Sequence, residues 1–119
     1  MNVSVLNTVV CEQIRVGRRV TLMDVGPRWS SPPTTLAVWI ELHNPSERDF
    51  TVAVQVWRGR NLLDESPTEL VLAGQPHWQT FFQWESLHDF KRKTYTFVVL
   101  VDDVRARTIM VDFGAGTPS

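Results

Sequence analysis

Apolar residues recur at every second position through most of this chain. Leu36, Val38, Ile40 and Leu42 alternate with Ala37, Trp39, Glu41 and His43; Phe50, Val52, Val54 and Val56 alternate with Thr51, Ala53, Gln55 and Trp57. A period of two belongs to a strand that lays one face on a core and turns the other outward. The alternation predicts strands at about 3–16, 19–25, 35–43, 49–58, 68–73, 78–85, 94–102 and 106–113, with a short ninth at 61–64. The first is long enough to bend or break. Between them fall turn signals such as Gly17-Arg18, Asn44-Pro45-Ser46, Gly59-Arg60-Asn61 and Asp102-Asp103. Only 86–93 reads as helical, with Ser86 as N-cap and Asp89 at the capping-box position.

Eight or nine strands joined by short turns predict an all-β fold: a single antiparallel immunoglobulin-like β-sandwich over 1–113, with a flexible tail at 114–119. The predicted core takes Leu36, Val38, Ile40, Leu42, Phe50, Val52, Val54 and Val56, together with Val20, Leu22, Trp78, Phe82, Trp84, Ile109, Val111 and Phe113. Tyr95 opens the run Tyr95-Thr96-Phe97-Val98-Val99-Leu100-Val101. A tyrosine there is either one more core aromatic or the tyrosine corner of immunoglobulin-like domains, its hydroxyl returning to upstream backbone.

The phase then produces a conflict. The side of each strand that should meet water carries Trp39, Trp57, Val98, Leu100 and Met110. If their strands share a sheet, these five residues form an outward apolar patch, the candidate partner-binding site. Two tryptophans with Leu100 and Met110 make a sufficient hot spot for a protein partner or for a homodimer. Two other readings stand beside it. The segment 26–35, with Trp29 and Pro32-Pro33, covers the patch from within the same chain, or the tryptophans stack a carbohydrate ring.

Composition narrows the chemistry. The chain has 119 residues, 43% of them hydrophobic and 21% charged, which suits one domain with a real core. A formal charge of −1 gives no general attraction to nucleic acid or anionic lipid. The basic groups Arg15-Arg18-Arg19, Arg58-Arg60, Lys91-Arg92-Lys93 and Arg105-Arg107 sit at turns and strand edges, where charge discourages edge pairing. One cysteine, Cys11, rules out an intrachain disulfide and favours a reducing compartment. With no signal-like head and no apolar run of membrane-spanning length, the expected location is the cytoplasm. No Gly-x-Ser-x-Gly, Cys-x-x-Cys or His-Glu-x-x-His occurs. The histidines His43, His77 and His88 read as solvated, and Asp24, Asp64, Asp89, Asp102 and Asp103 as scattered loop acids. No catalytic residue, metal site or cofactor is expected.

The head Cys11-Glu12-x-Ile14-x-Val16-Gly17-Arg18-Arg19-x-Thr21-Leu22 resembles the opening of an uncharacterised bacterial family of small β-sandwiches, a domain of unknown function. The segments Ser46-Glu47-Arg48-Asp49-Phe50 and Arg58-Gly59-Arg60-Asn61-Leu62 and the Tyr-x-Phe-x-Val run extend the likeness along nearly the whole chain. The resemblance implies a cytoplasmic accessory domain and supplies no catalytic residues.

Overall fold

A computed structural model describes residues 3–30, 32–45, 47–84, 91 and 93–114. They form ten strands and no helix: β1 Ser4–Val16, β2 Val20–Val25, β3 Arg28–Trp29, β4 Leu36–Asn44, β5 Phe50–Arg58, β6 Asn61–Glu65, β7 Glu69–Val71, β8 Gln75–Trp84, β9 Thr94–Val101 and β10 Val104–Phe113. The helical turn expected at 86–93 and the tail beyond Gly114 lie outside the described residues, apart from Lys91 and Lys93.

The strands make two sheets. The first runs β2-β1-β4-β8; the second runs β3-β10-β9-β5-β6, with β7 also pairing β5. All the pairings are antiparallel except β3 with β10. The first strand carries a pairing irregularity, a register shift between Val5 and Asn7. β3 is a tenth strand that alternation does not announce, because two residues are too few to show a period.

Between the sheets lies one main core. Leu36, Val38, Ile40 and Leu42 of β4 meet Phe50, Val52, Val54 and Val56 of β5 and Tyr95, Phe97, Val99 and Val101 of β9, all buried. Val10, Val71, Phe82, Val111 and Phe113 complete it, and Trp78, Trp84, Trp29 and Ile109 pack on its margin half-buried. Val20 departs from the expected core at 43% exposure. The pairings give the reason. β1 joins β4 through residues up to Cys11, then joins β2 through Cys11–Val16, so the end of the β1–β2 hairpin passes beyond β4 as an arm. Val16 and Val20 alternate properly but have no opposite layer to bury them.

Local chemistry holds the corners. Asp102 and Asp103 both take positive φ, 50° and 62°, between the paired residues Val101 and Val104. This is the two-residue hairpin geometry that aspartate tolerates. The Tyr95 hydroxyl accepts the Lys91 N–H at 2.8 Å and donates to the Lys91 carbonyl at 3.4 Å, returning to backbone four residues upstream.

Candidate functional site

Partners across a ladder project from the same face, so register places every outward side chain. On the second sheet the outward rows are Ala53–Leu100–Arg105, Gln55–Val98–Thr108 and Trp57–Thr96–Met110. Trp57, Val98, Leu100 and Met110 therefore do share a face. Trp39 does not join them: β4 belongs to the opposite sheet, and the expectation that all four strands share one sheet is corrected.

That face is largely closed by its own side chains. Val98 has 0% exposure and Leu100 7%, while Met110 stands out at 58%. Arg105 lies opposite Leu100 and Trp57 opposite Thr96, on the two strands flanking β9. The Arg105 guanidinium carbon is 5.5 Å from the centre of the Trp57 ring. To meet there, the two side chains reach diagonally over Val98, which accounts for its burial; the stacked cation and ring add their own attraction. Trp57 Nε1 donates to Gln55 Oε1 at 3.0 Å, and Gln55 Nε2 donates to Glu65 Oε2 at 2.9 Å. The ring is fixed as a lid.

Trp29, the large residue of the segment 26–35, does not lie over that face. β3 adds to the far edge of β10, and the Trp29 ring sits 5.8 Å from Phe113 at the end of the core. A Cβ on Gly26 would fall 2.3 Å from that ring, so glycine is what lets Trp29 close this end.

Trp39 instead centres the outer face of the first sheet. Register gives the row Val9–Trp39–Phe81 across β1, β4 and β8. Beside it runs Cys11–Ala37–Gln83, with Val25 beyond Cys11 on β2. On the other side runs Asn7–Glu41–Gln79. Trp39 rests on the buried residues Cys11, Ile14 and Ala37. Phe81 stays 37% exposed and Val25 55%. The charged group in these rows is Glu41, whose Oε2 is 3.6 Å from His77 Nδ1. Alternation through Trp78, Phe82 and Trp84 assigns Phe82 to the core, and Phe81, in the opposite phase between them, carries no signal of its own.

At the foot of the arm, a cleft of about 240 Å³ is lined by Glu12, Gln13, Thr35, Leu36, Gln83 and Trp84. Thr35 Oγ1 donates to the Glu12 carbonyl at 2.9 Å, and Trp84 Nε1 donates to Asp64 Oδ2 at 2.7 Å. A hydrogen bond between the Glu12 and Asp24 carboxyls, with burial and the Asp24 charge adding to it, raises the Glu12 pKa above its ordinary value.

Burial pushes the Cys11 thiol up, which opposes nucleophilic use. His77 faces Glu41, and His88 lies outside the described residues. Among the described residues, no three or more His, Cys, Asp or Glu gather as metal ligands. Among them, too, no helix is long and apolar enough to cross a membrane. No protein-family model matches the chain, and no curated protein matches it significantly.

Proposed function

We propose that this chain is a non-enzymatic protein-binding module whose contact surface is the outer face of its first sheet, centred on Trp39. The observation that carries this reading is the row Val9–Trp39–Phe81, apolar and uncharged, with Trp39 half-buried over Cys11 and Ala37 and its edge residue Phe81 open to solvent. Interfaces concentrate aromatic residues in a charge-poor centre with polar groups around it, and Asn7, Gln79, Gln83 and the Glu41–His77 pair supply that rim. Trp57, Val98 and Leu100, by contrast, already spend their apolar surface on one another. The test is a Trp39→Ser variant. It is expected to stay folded while losing the protein that the wild type captures from a lysate. Unchanged capture would overturn the proposal.

A second reading rests on the cleft at Trp84. Its aromatic wall, two glutamine amides and one carboxyl suit a single small polar ring such as a sugar. Quenching of tryptophan fluorescence by monosaccharides, lost in Gln83→Ala, would favour it.

The backbone-bound Tyr95 hydroxyl supports the finer assignment to immunoglobulin-like sandwiches. The buried, unpaired Cys11 thiol suits the cytoplasm.

A further inference from the structure

A sheet edge exposes a row of unpaired N–H and C=O groups, and proteins blunt such edges with short strands, charges, prolines or bulges. Three of the four edges here are blunted. β3 has two residues. β2 belongs to the projecting arm, follows Arg18-Arg19 and carries Asp24 at a φ of 53°. The outer edge of the second sheet is split into β6 and β7 by Ser66-Pro67-Thr68 and bears Asp64, Glu65 and Glu69.

β8 is different. It is a ten-residue edge strand without Asp, Glu, Lys or Arg, and its single proline, Pro76, stands near its start. From Trp78 to Trp84 it pairs β4 without a register shift. Among the described residues no strand pairs with it on its other side. The carboxylates in the layer beneath are engaged: Asp64 accepts from Trp84 Nε1, and Glu69 accepts from the Thr80 hydroxyl.

We propose that β8 pairs antiparallel with β8 of a second copy of this chain, about a two-fold axis at Phe81, joining the two first sheets into one eight-stranded sheet. The proposal goes beyond the reading of the Trp39 face: it occupies the edge of the first sheet and leaves that face, doubled in width, open to a partner. An antiparallel edge is its own complement under two-fold symmetry, so a copy satisfies every hydrogen bond that the edge offers. The Phe81 register matches residue 78 with 84, 79 with 83 and 80 with 82, using the whole unshifted stretch. It also sets Phe81 against Phe81 of the copy, so that Val9–Trp39–Phe81 becomes one apolar band of six residues across both molecules. A shift of two residues would set Phe81 against glutamine instead. From Trp78 to Trp84 the strand has no ionisable side chain, so no like charges meet across the axis.

Size decides the strength. Seven paired residues span about 23 Å, and a strip of that length along one sheet edge is smaller than a standard specific interface, so the dimer is reversible and forms with concentration.

The experiment is light scattering over a concentration series, with hydrogen exchange of β8 amides at low and high concentration. The wild type is expected to approach twice the monomer mass while β8 amides gain protection. Gln79 and Gln83 are exposed, so Gln79→Lys/Gln83→Lys is expected to fold normally and remain monomeric, because each lysine meets a lysine of the copy. Gln79→Lys/Gln83→Glu sets lysine against glutamate and is expected to restore the dimer. A monomeric wild type at every concentration would overturn the β8 pairing while leaving a foreign partner for the Trp39 face. A dimer indifferent to both lysines but abolished by Trp39→Ser would overturn it in favour of face-to-face packing. A dimer indifferent to all of these substitutions would overturn the β8 pairing and leave the Trp39 face to the capture experiment.

Discussion

Asp102 shows how much one side chain can hold. Its Oδ1 accepts the Thr51 N–H at 3.0 Å and its Oδ2 the Arg48 guanidinium at 2.5 Å, while its own backbone turns the β9–β10 hairpin. The Thr51 N–H does most to lower its pKa; burial opposes, and Arg48 then lowers it further. Folded Asp102 therefore binds its proton less readily than it does in the unfolded chain. Its contribution is present above the ordinary carboxylate range and is lost as pH falls through the lowered value. Asp102→Asn is expected to cost less than about 1 kcal/mol at neutral pH, since asparagine tolerates the backbone angle and still accepts from Thr51. It should also flatten the acid limb of a stability–pH curve measured by urea unfolding. Asp102→Ala loses both features and is expected to cost about 1–3 kcal/mol. Glu12 has the opposite sign. Its raised pKa means that ionisation costs stability as pH rises above the unfolded value, so Glu12→Gln is expected to gain stability relative to wild type at pH 7 but not at pH 3. Gly26→Ala should push Trp29 off Phe113 and cost about 1–3 kcal/mol, with a shift in tryptophan emission as the readout.

At the scale of elements, β9 explains why an apolar outward face need not be a binding face. A central strand with neighbours on both sides can hide its outer residues beneath their long side chains. Arg105 and Trp57 do this for Val98. Removing the lid is therefore a matter of stability. Trp57→Ser is expected to destabilise by about 2 kcal/mol, and Arg105→Ala by about 0.5–1 kcal/mol, in thermal or denaturant unfolding. Neither should change the mass in solution. Trp39 is half-buried on Cys11, Ile14 and Ala37, but its flanking residue Phe81 stays exposed on an edge strand with no strand beyond it among the described residues. The arm obeys the same logic in reverse. Its strands alternate well, yet beyond β4 there is no second layer, and alternation without a layer gives exposed valines.

At the scale of the whole molecule, two sheets enclose one core, and the thin dimension leaves Cys11 on the far side of the first sheet in its own small cluster with Ile14 and Ala37. The thiol has no exposure there. Labelling of Cys11 by a thiol reagent is expected to be slow in the native protein and complete on unfolding, so its rate reports global or sheet-level opening. A fast native reaction would mean that the first sheet opens locally at β1.

What the amino-acid order determined by itself was local: the alternation of β4, β5 and β9, the Asp102-Asp103 hairpin and the tyrosine at the head of β9. Each depends on neighbours a few positions away, through pleat, backbone angle or a short reach to upstream backbone. Tertiary structure decided which outward residues share a face. Trp39 and Trp57 occupy equivalent phases on consecutive strands, but those strands went to opposite sheets, and no periodicity carries sheet membership. It also decided exposure. Val20 emerged because its hairpin outruns β4, and Val98 vanished because Arg105 and Trp57 reach across β9. Both outcomes depend on strands brought together from distant parts of the chain, and the pattern along a single strand does not contain them.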